Sequence, residues 1–154
     1  MESGRLRRYQ AEVRPEMLDY NGHMTEGWYV LHFGRASDCL YEQLGAGASW
    51  REATGGSLYT VEAHLRYLRE VPLGALVHVS SQLVGFDAKR VHFVHEMECN
   101  GEVVATEEIM ALCVDTRSGR TANFETPLME RLQALCSLPP PPYAGRRIAL
   151  PAGS

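Results

Sequence analysis

The sequence predicts an α+β domain in which a curved antiparallel sheet wraps around one long central helix, with a further helix near the C-terminus. Apolar residues recur at helical spacing from about 26 to 44. From residue 57 onward the period falls to two, and short turn signals separate the alternating runs.

Residues 6–14 alternate loosely and stop at Pro15, which reads as a first strand. Residues 15–25 (PEMLDYNGHMT) are polar and turn-prone around Asn21-Gly22. Tyr29, Phe33, Ala36, Leu40 and Leu44 then form the stripe of a helix, with Thr25 as the expected N-cap and Gly45 as the stop. Gly34 and Ala36 are small enough for close approach to a sheet. The Gly-rich stretch 45–56 reads as a loop.

Four strands follow, over 58–71, 75–86, 89–99 and 102–116. In the first of them Tyr59, Val61, Ala63, Leu65 and Tyr67 share one face, and Thr60, Glu62, His64 and Arg66 the other. Pro72-Leu73-Gly74, Asp87-Ala88 and Asn100-Gly101 supply the turns, so the expected arrangement is a four-stranded meander. A final amphipathic helix is expected over 125–137. Pro139 to Pro142 then form a polyproline stub, and the tail is expected to be loosely held. The expected division is a domain over 1–138 and a Pro-rich tail over 139–154. One broad helical stripe facing a meander with one apolar face is best buried by wrapping the sheet around the helix, the hot-dog architecture. A single unit leaves a sheet edge uncovered, so a homodimer or homotetramer is expected.

With 154 residues, 45% of them hydrophobic, the chain fits one domain that needs neither disulfides nor a structural metal. The net charge of −4 offers no basic field for nucleic acid, yet leaves room for a local patch that binds a polyanion such as CoA. The four cysteines are spread without a C-x-x-C pair, as in a reducing compartment. No apolar run approaches the ~20 residues of a membrane span, and the first ten residues do not read as a signal peptide. The expectation is a soluble, cytoplasmic protein.

The segment Asp19-Tyr20-Asn21-Gly22-His23-Met24-Thr25 stands just before the helix. The free N–H groups at a helix N-terminus favour negative charge, so a thioester carbonyl docked there would have its developing oxyanion stabilised. Asp19 beside it could attack the carbonyl or deprotonate a water. The plain structural alternative is an Asx-turn that only shapes a loop.

That segment resembles the D-x-x-G-H-x-N signature of the 4-hydroxybenzoyl-CoA thioesterase family of hot-dog proteins, carried here by Asp19, Gly22 and His23. The run HLRYLREVPLGALVHV (64–79) is similar to that family's Y-x-R-P-x-x-x-G passage, and the likeness covers about residues 6–135. The resemblance implies Asp19 as base or nucleophile, and the amides around Thr25, Glu26 and Gly27 as oxyanion donors. His23 is expected to shape the loop or to hydrogen-bond near the thioester. Thr25 stands where the family has Asn. No cofactor is implied, and the partner is an acyl-CoA substrate.

A narrower likeness lies in DYNGHM (19–24), SLYTVEAHLRYLREV (57–71), FDAKRVHFVHEM (86–97) and ATEEIMALCVDTRSGR (105–120). These runs resemble the betainyl-CoA thioesterases of bacterial carnitine degradation. That implies an acyl group ending in a trimethylammonium, which is recognised by aromatic faces and a carboxylate. Tyr20, Trp28, Trp50, Tyr59 and Tyr67 are the aromatic candidates and Glu62 the acidic one, with a core role as the alternative for Tyr59 and Tyr67. Asn21 is a further substrate-binding candidate.

Lys89 and Arg90, with Arg66 or Arg69, are candidates for the CoA phosphates, the alternative being a solvated hairpin end. Glu62 and His64 share a polar strand face that either lines a cleft between subunits or forms an interface pair. His92 and His95 are three apart on a strand and face opposite sides, so no metal site is expected. No G-x-S-x-G elbow occurs. Three functions stay in view: a thioesterase for a short or polar acyl-CoA, one for fatty or aromatic acyl-CoA, and a non-catalytic protein that binds an acyl thioester.

Overall fold

The structure, a computed structural model, describes residues 5–153, the side chains of Arg7 and Arg8 excepted. In chain order the elements are β1 (Leu6–Glu12), α1 (Glu26–Leu44), α2 (Ala48–Thr54), β2 (Gly56–Tyr67), β3 (Leu76–Phe86), β4 (Arg90–Cys99), β5 (Glu102–Asp115), β6 (Arg120–Thr121) and α3 (Thr126–Leu135). The strands form one antiparallel sheet in the order β1-β3-β4-β5-β2, with the short β6 beside β5. Helix α1 packs on its inner face, chiefly over β1 and β3. Phe33, Ala36, Leu40 and Leu44 are buried there against Val79, Met97, Phe93 and Ile109. This is the hot-dog arrangement of sheet around helix.

The expected meander is only partly formed. β3, β4 and β5 are consecutive neighbours, but β2 pairs with β5 rather than with β3. Alternation predicts strands without naming their partners. Pro72 does not close a hairpin, because Val71 is tied elsewhere: its carbonyl accepts the Met24 N–H at 2.9 Å. Residues 68–75 instead carry the chain across the end of the sheet, where Leu68 and Arg69 both donate to the Val104 carbonyl.

The ladder of β2 with β5 also slips by one residue between Thr60 and Glu62. This bulge reverses the phase of the strand. Tyr67 pairs with Ala105 on the inner face, whereas Tyr59 pairs with Leu112 on the outer face. The two tyrosines therefore do not share a face, and neither is core, at 49% exposure for Tyr59 and 48% for Tyr67.

The stretch expected as a loop contains α2. Its sequence ASWREAT is helix-compatible but sits between Gly47 and Gly55, which mask it. A Cβ on Gly56 would meet the Trp50 ring at 2.5 Å, so the indole packs where only glycine fits. α3 is shorter than expected, and β4 begins at Arg90, leaving Lys89 in the turn. Gly45 ends α1 in the left-handed region at φ 78°. Asn100 and Gly101, at φ 53° and 80°, make the anticipated hairpin turn.

The tail is not loose where it meets the sheet. Gln82 Nε2 donates to the Pro139 carbonyl at 2.8 Å, the Tyr143 hydroxyl to Glu96 at 2.8 Å, and the Gly145 N–H to Glu108 at 2.8 Å. Residues 139–145 thus lie over the outer face of β3, β4 and β5, where Arg5 also pairs with Glu96. No helix among the described residues is long and apolar enough to cross a membrane.

Candidate active site

Residues 18–24 form a small hairpin. Leu18 and Met24 bridge, the Asp19 N–H donates to the His23 carbonyl at 3.0 Å, and the Gly22 N–H to the Asp19 carbonyl at 3.0 Å. Gly22 accordingly sits at φ 77°, a conformation that favours glycine. Asp19 Oδ1 accepts the Asn21 N–H at 2.8 Å, so the Asx-turn is real. It occupies one carboxylate oxygen only, and Oδ2 has no hydrogen bond among the described residues.

The hairpin forms one wall of a cleft of about 360 Å³ lined by Asp19, Asn21, His23, Glu26, Tyr67 and Arg69, together with Met24, Tyr29, Leu68 and Glu70. The N-terminus of α1 opens into it. Thr25 occupies the N-cap position with extended backbone, but its side chain makes no capping bond. Its own N–H is committed to the Met17 carbonyl at 2.9 Å, so Thr25 is not an available donor. The amides of Glu26 and Gly27, in the first turn, have no backbone acceptor among the described residues. A Cβ on Gly27 would meet nothing within 4 Å, so space lies open beside that amide.

The His23 imidazole points at Glu70, with Nε2 at 3.4 Å from its carboxylate, while Nδ1 is buried without a partner. Tyr29 stacks edge-on to Tyr67 at 5.2 Å and donates its hydroxyl to the Arg69 carbonyl at 3.1 Å, which fixes the opposite wall.

Several candidates fall elsewhere. Tyr20 is at the hairpin tip, 98% exposed, and does not line the cleft. Trp28 leans on His32, 5.8 Å between ring centroids, and packs with Tyr9 into the core on the β1 side. Trp50 belongs to α2 at the far end of the domain. Tyr59 is separated from the cleft by most of β2. Lys89 and Arg90 lie at the β3–β4 turn, while the cleft abuts the opposite end of the sheet. Arg90 is engaged there by Asp87, Nε to Oδ2 2.7 Å, and this bond holds the Asp87 carboxyl down to about 2. Arg66 pairs with Thr106 on the outer face. Glu62 and His64 line a separate outer depression of about 280 Å³ with His92, Glu108, Arg146 and Arg147. Periodicity places these residues on strands, but it cannot say which end or face meets the helix N-terminus.

His92 and His95 do face opposite sides. His92 bonds Glu108 at 2.6 Å on the outer face, and His95 is buried on the inner one. No group of potential metal ligands occurs among the described residues. The sequence reading passed over Glu70 and Leu68 as cleft residues. Their signal was their place between the LRY run and Pro72, where the chain crosses the sheet end.

Residues 13–132 match the model of the Thioesterase-like superfamily. The chain is 41% identical over 152 residues to the betainyl-CoA thioesterase of Pseudomonas aeruginosa, covering 95% of this chain and 96% of that one. It is 43% identical over 147 residues to an L-carnitine dehydrogenase/betainyl-CoA thioesterase of Agrobacterium fabrum, of whose length it spans 30%. A candidate thioesterase of Pseudomonas putida KT2440 superposes with TM-score 0.80 at 38% identity, over 96% of this chain and 97% of that one. A Staphylococcus aureus protein determined in complex with CoA shares the fold, with TM-score 0.84 at 24% identity, over 93% and 94% of the two chains. With the family match spanning most of the domain, and relatives alike over nearly its full length, the chain belongs to the thioesterase-like superfamily and is a hydrolase of thioester bonds.

Proposed function

We propose that this thioesterase hydrolyses betainyl-CoA to glycine betaine and CoA, with Asp19 as the catalytic carboxylate. The observation that carries the reading is the shared cleft: Asp19, with one carboxylate oxygen unengaged, lines the same space as Glu26 at the start of α1, where the Glu26 and Gly27 amides have no backbone acceptor among the described residues. The substrate carbonyl oxygen accepts from the Glu26 and Gly27 N–H groups, which meet the charge that develops on it. Asp19 Oδ2 either adds to the carbonyl carbon or takes a proton from the water that does. The C–S bond breaks, CoA leaves as the thiolate and is protonated, and the acid remains. In the additional-nucleophile route a water then opens the Asp19 anhydride. Hydrolysis in labelled water separates the two routes, since only the nucleophilic one puts label into the carboxylate of Asp19 in a single turnover.

The identity of the acyl group is supported by the likeness over nearly the full chain to a betainyl-CoA thioesterase. A panel of acyl-CoA esters with a free-thiol readout tests it. Faster turnover of fatty or aromatic esters than of betainyl-CoA would refute the substrate, and retention of full activity in Asp19→Asn would refute the mechanism.

We also propose a homodimer formed through the β2 edge. β2 is a terminal strand of the sheet, and Val61 and Tyr67 expose about half their surface there, at 55% and 48%. In such a dimer Lys89 or Arg90 of one copy is available to the CoA of the other. Free thiols at Cys39, Cys99, Cys113 and Cys136 support a cytoplasmic setting.

A further inference from the structure

Glu26, the first residue of α1, brings two opposed charges to one place. Its N–H belongs to the pair of amides that receive the thioester oxygen, and its side chain is a carboxylate. An acid in the first turn of a helix ordinarily does no more than favour the dipole. Beside a developing oxyanion it works against the chemistry, because a carboxylate a side chain's length away repels the charge that the amides stabilise. For a neutral acyl group Glu26 is therefore a disadvantage at its own site.

The two groups cannot be far apart, since one residue carries both. The Cα–Cβ bond of a helical residue also tilts toward the helix N-terminus, the end on which the carbonyl docks. Glu26 is exposed and lines the Asp19 cleft. The other charged side chains of that cleft have partners. Asp19 Oδ1 holds the Asn21 N–H, Glu70 faces His23 Nε2 at 3.4 Å, and Arg69 Nε faces Glu102 at 3.4 Å. Glu26 makes no hydrogen bond or ion pair among the described residues. Tyr67 lines the same cleft and is half exposed. Tyr29, anchored by its hydroxyl to the Arg69 carbonyl, meets Tyr67 perpendicularly at 5.2 Å, a contact that uses at most one face of the Tyr67 ring.

We propose that Glu26, with the free face of Tyr67, selects a cationic acyl group. This rests on the betainyl reading above and names the residue that reads the charge. In betainyl-CoA one methylene separates the carbonyl from the trimethylammonium. A carbonyl seated on the Glu26 and Gly27 amides therefore puts the cation within one side chain's length of the Glu26 carboxylate. The cation turns the disadvantage around: it neutralises the carboxylate and itself stands beside the developing oxyanion. A quaternary ammonium has no N–H to donate, so it is recognised by field and by an aromatic face. The same carboxylate slows a neutral ester, so selection comes from rejection as well as attraction. Glu62, the acid that the sequence suggested, lines the separate outer depression instead.

The test compares betainyl-CoA with 3,3-dimethylbutanoyl-CoA, in which carbon replaces the nitrogen and shape is kept while charge is lost. The wild-type enzyme is expected to favour the cationic ester by at least about thirtyfold in kcat/KM, the scale of a close charge partner. Glu26→Gln keeps the backbone N–H and the shape of the side chain. It is expected to lower kcat/KM for betainyl-CoA at least about tenfold and to raise that for the neutral ester about threefold. A merely structural loss lowers both esters together, and a neutral ester that does not gain overturns the assignment. Tyr67→Phe keeps the ring face and is expected to keep the preference, whereas Tyr67→Leu is expected to cut it several-fold; equal preference in the two removes the ring from the subsite. A wild-type enzyme that hydrolyses other acyl-CoA esters but not betainyl-CoA refutes the substrate reading itself. One that prefers betainyl-CoA equally with Glu26 and with Gln refutes the role of Glu26 alone.

Discussion

Asp19 and Asn21 are joined by a single hydrogen bond, from the Asn21 N–H to Asp19 Oδ1 at 2.8 Å, and this bond divides the work of the carboxylate between its two oxygens. One shapes the hairpin, and the other has no hydrogen bond among the described residues beside the cleft that Asp19 lines. Asp19→Asn keeps an oxygen at the Oδ1 position, so the hairpin is expected to survive with a Tm within a few degrees of wild type. Turnover is expected to fall at least about 100-fold, since an amide neither attacks nor takes a proton. Thiol release and thermal unfolding on the same sample check both parts. Asp19→Ala removes both oxygens and is expected to lose the hairpin as well.

The oxyanion role of the α1 amides is testable by deleting one backbone donor. Glu26 is the first residue of α1, and Thr25 before it has φ −71° and ψ 152°, a conformation that tolerates a following proline. Glu26→Pro is therefore expected to keep the helix while deleting one N–H donor. The expected loss is about 100-fold in kcat, the scale seen when a single oxyanion donor is removed. Glu26→Ala keeps the N–H and serves as the comparison; equal activity in the two variants would clear that amide of the role.

His95 makes acid stability a property of the core. Burial presses its imidazole down to about 3 from the ordinary 6.5, and it sits between Ser37 and Ser81 as a neutral ring. The unfolded chain takes up the proton first, so this group's contribution is present above about pH 6.5 and is lost as pH falls toward 3. His95→Gln is expected to flatten that part of the acid limb, as measured by urea unfolding between pH 7.5 and 5. Glu107 works in the opposite sense. Its carboxyl is raised from 4.5 to about 7, so its neutral form favours the folded state at low pH and this is lost as pH rises through 7. An unchanged pH slope in the His95 variant would mean that the buried ring is not the group responsible.

The tail over the outer face is a stability element rather than part of the chemistry. Tyr143, Gly145 and Pro139 make hydrogen bonds to Glu96, Glu108 and Gln82, and none of the tail lines the Asp19 cleft. Truncation after Leu138 is expected to lower unfolding stability by roughly 1–3 kcal/mol, the scale of a few partly exposed hydrogen bonds. Turnover per folded protein is expected to stay within about twofold. A loss of activity larger than the loss of folded protein would tie the outer face to the cleft.

The elements were legible in the sequence wherever local chemistry sets them. The Tyr29–Leu44 stripe, Gly45 and Asn100-Gly101 each state a conformation that neighbours within a few residues enforce. So does Asp19 before the helix, because the hairpin, its Asx-turn and the helix start all lie within one nine-residue stretch. α2 was hidden because its flanking glycines dominate the composition of that stretch.

What the sequence by itself determined is therefore the helix, the strands, and an acid beside a helix N-terminus. Tertiary structure alone decided that β2 crosses to pair with β5, that a bulge at Val61 splits Tyr59 from Tyr67, and that Thr25 spends its amide on Met17. It alone turned Glu107 inward while leaving Glu62 and His64 outside. The reason is physical: periodicity fixes which residues share a face of a strand, but a one-residue slip against a partner distant in sequence reverses that face. Which acid of the sheet faces inward is thus set by register, and register is a long-range property.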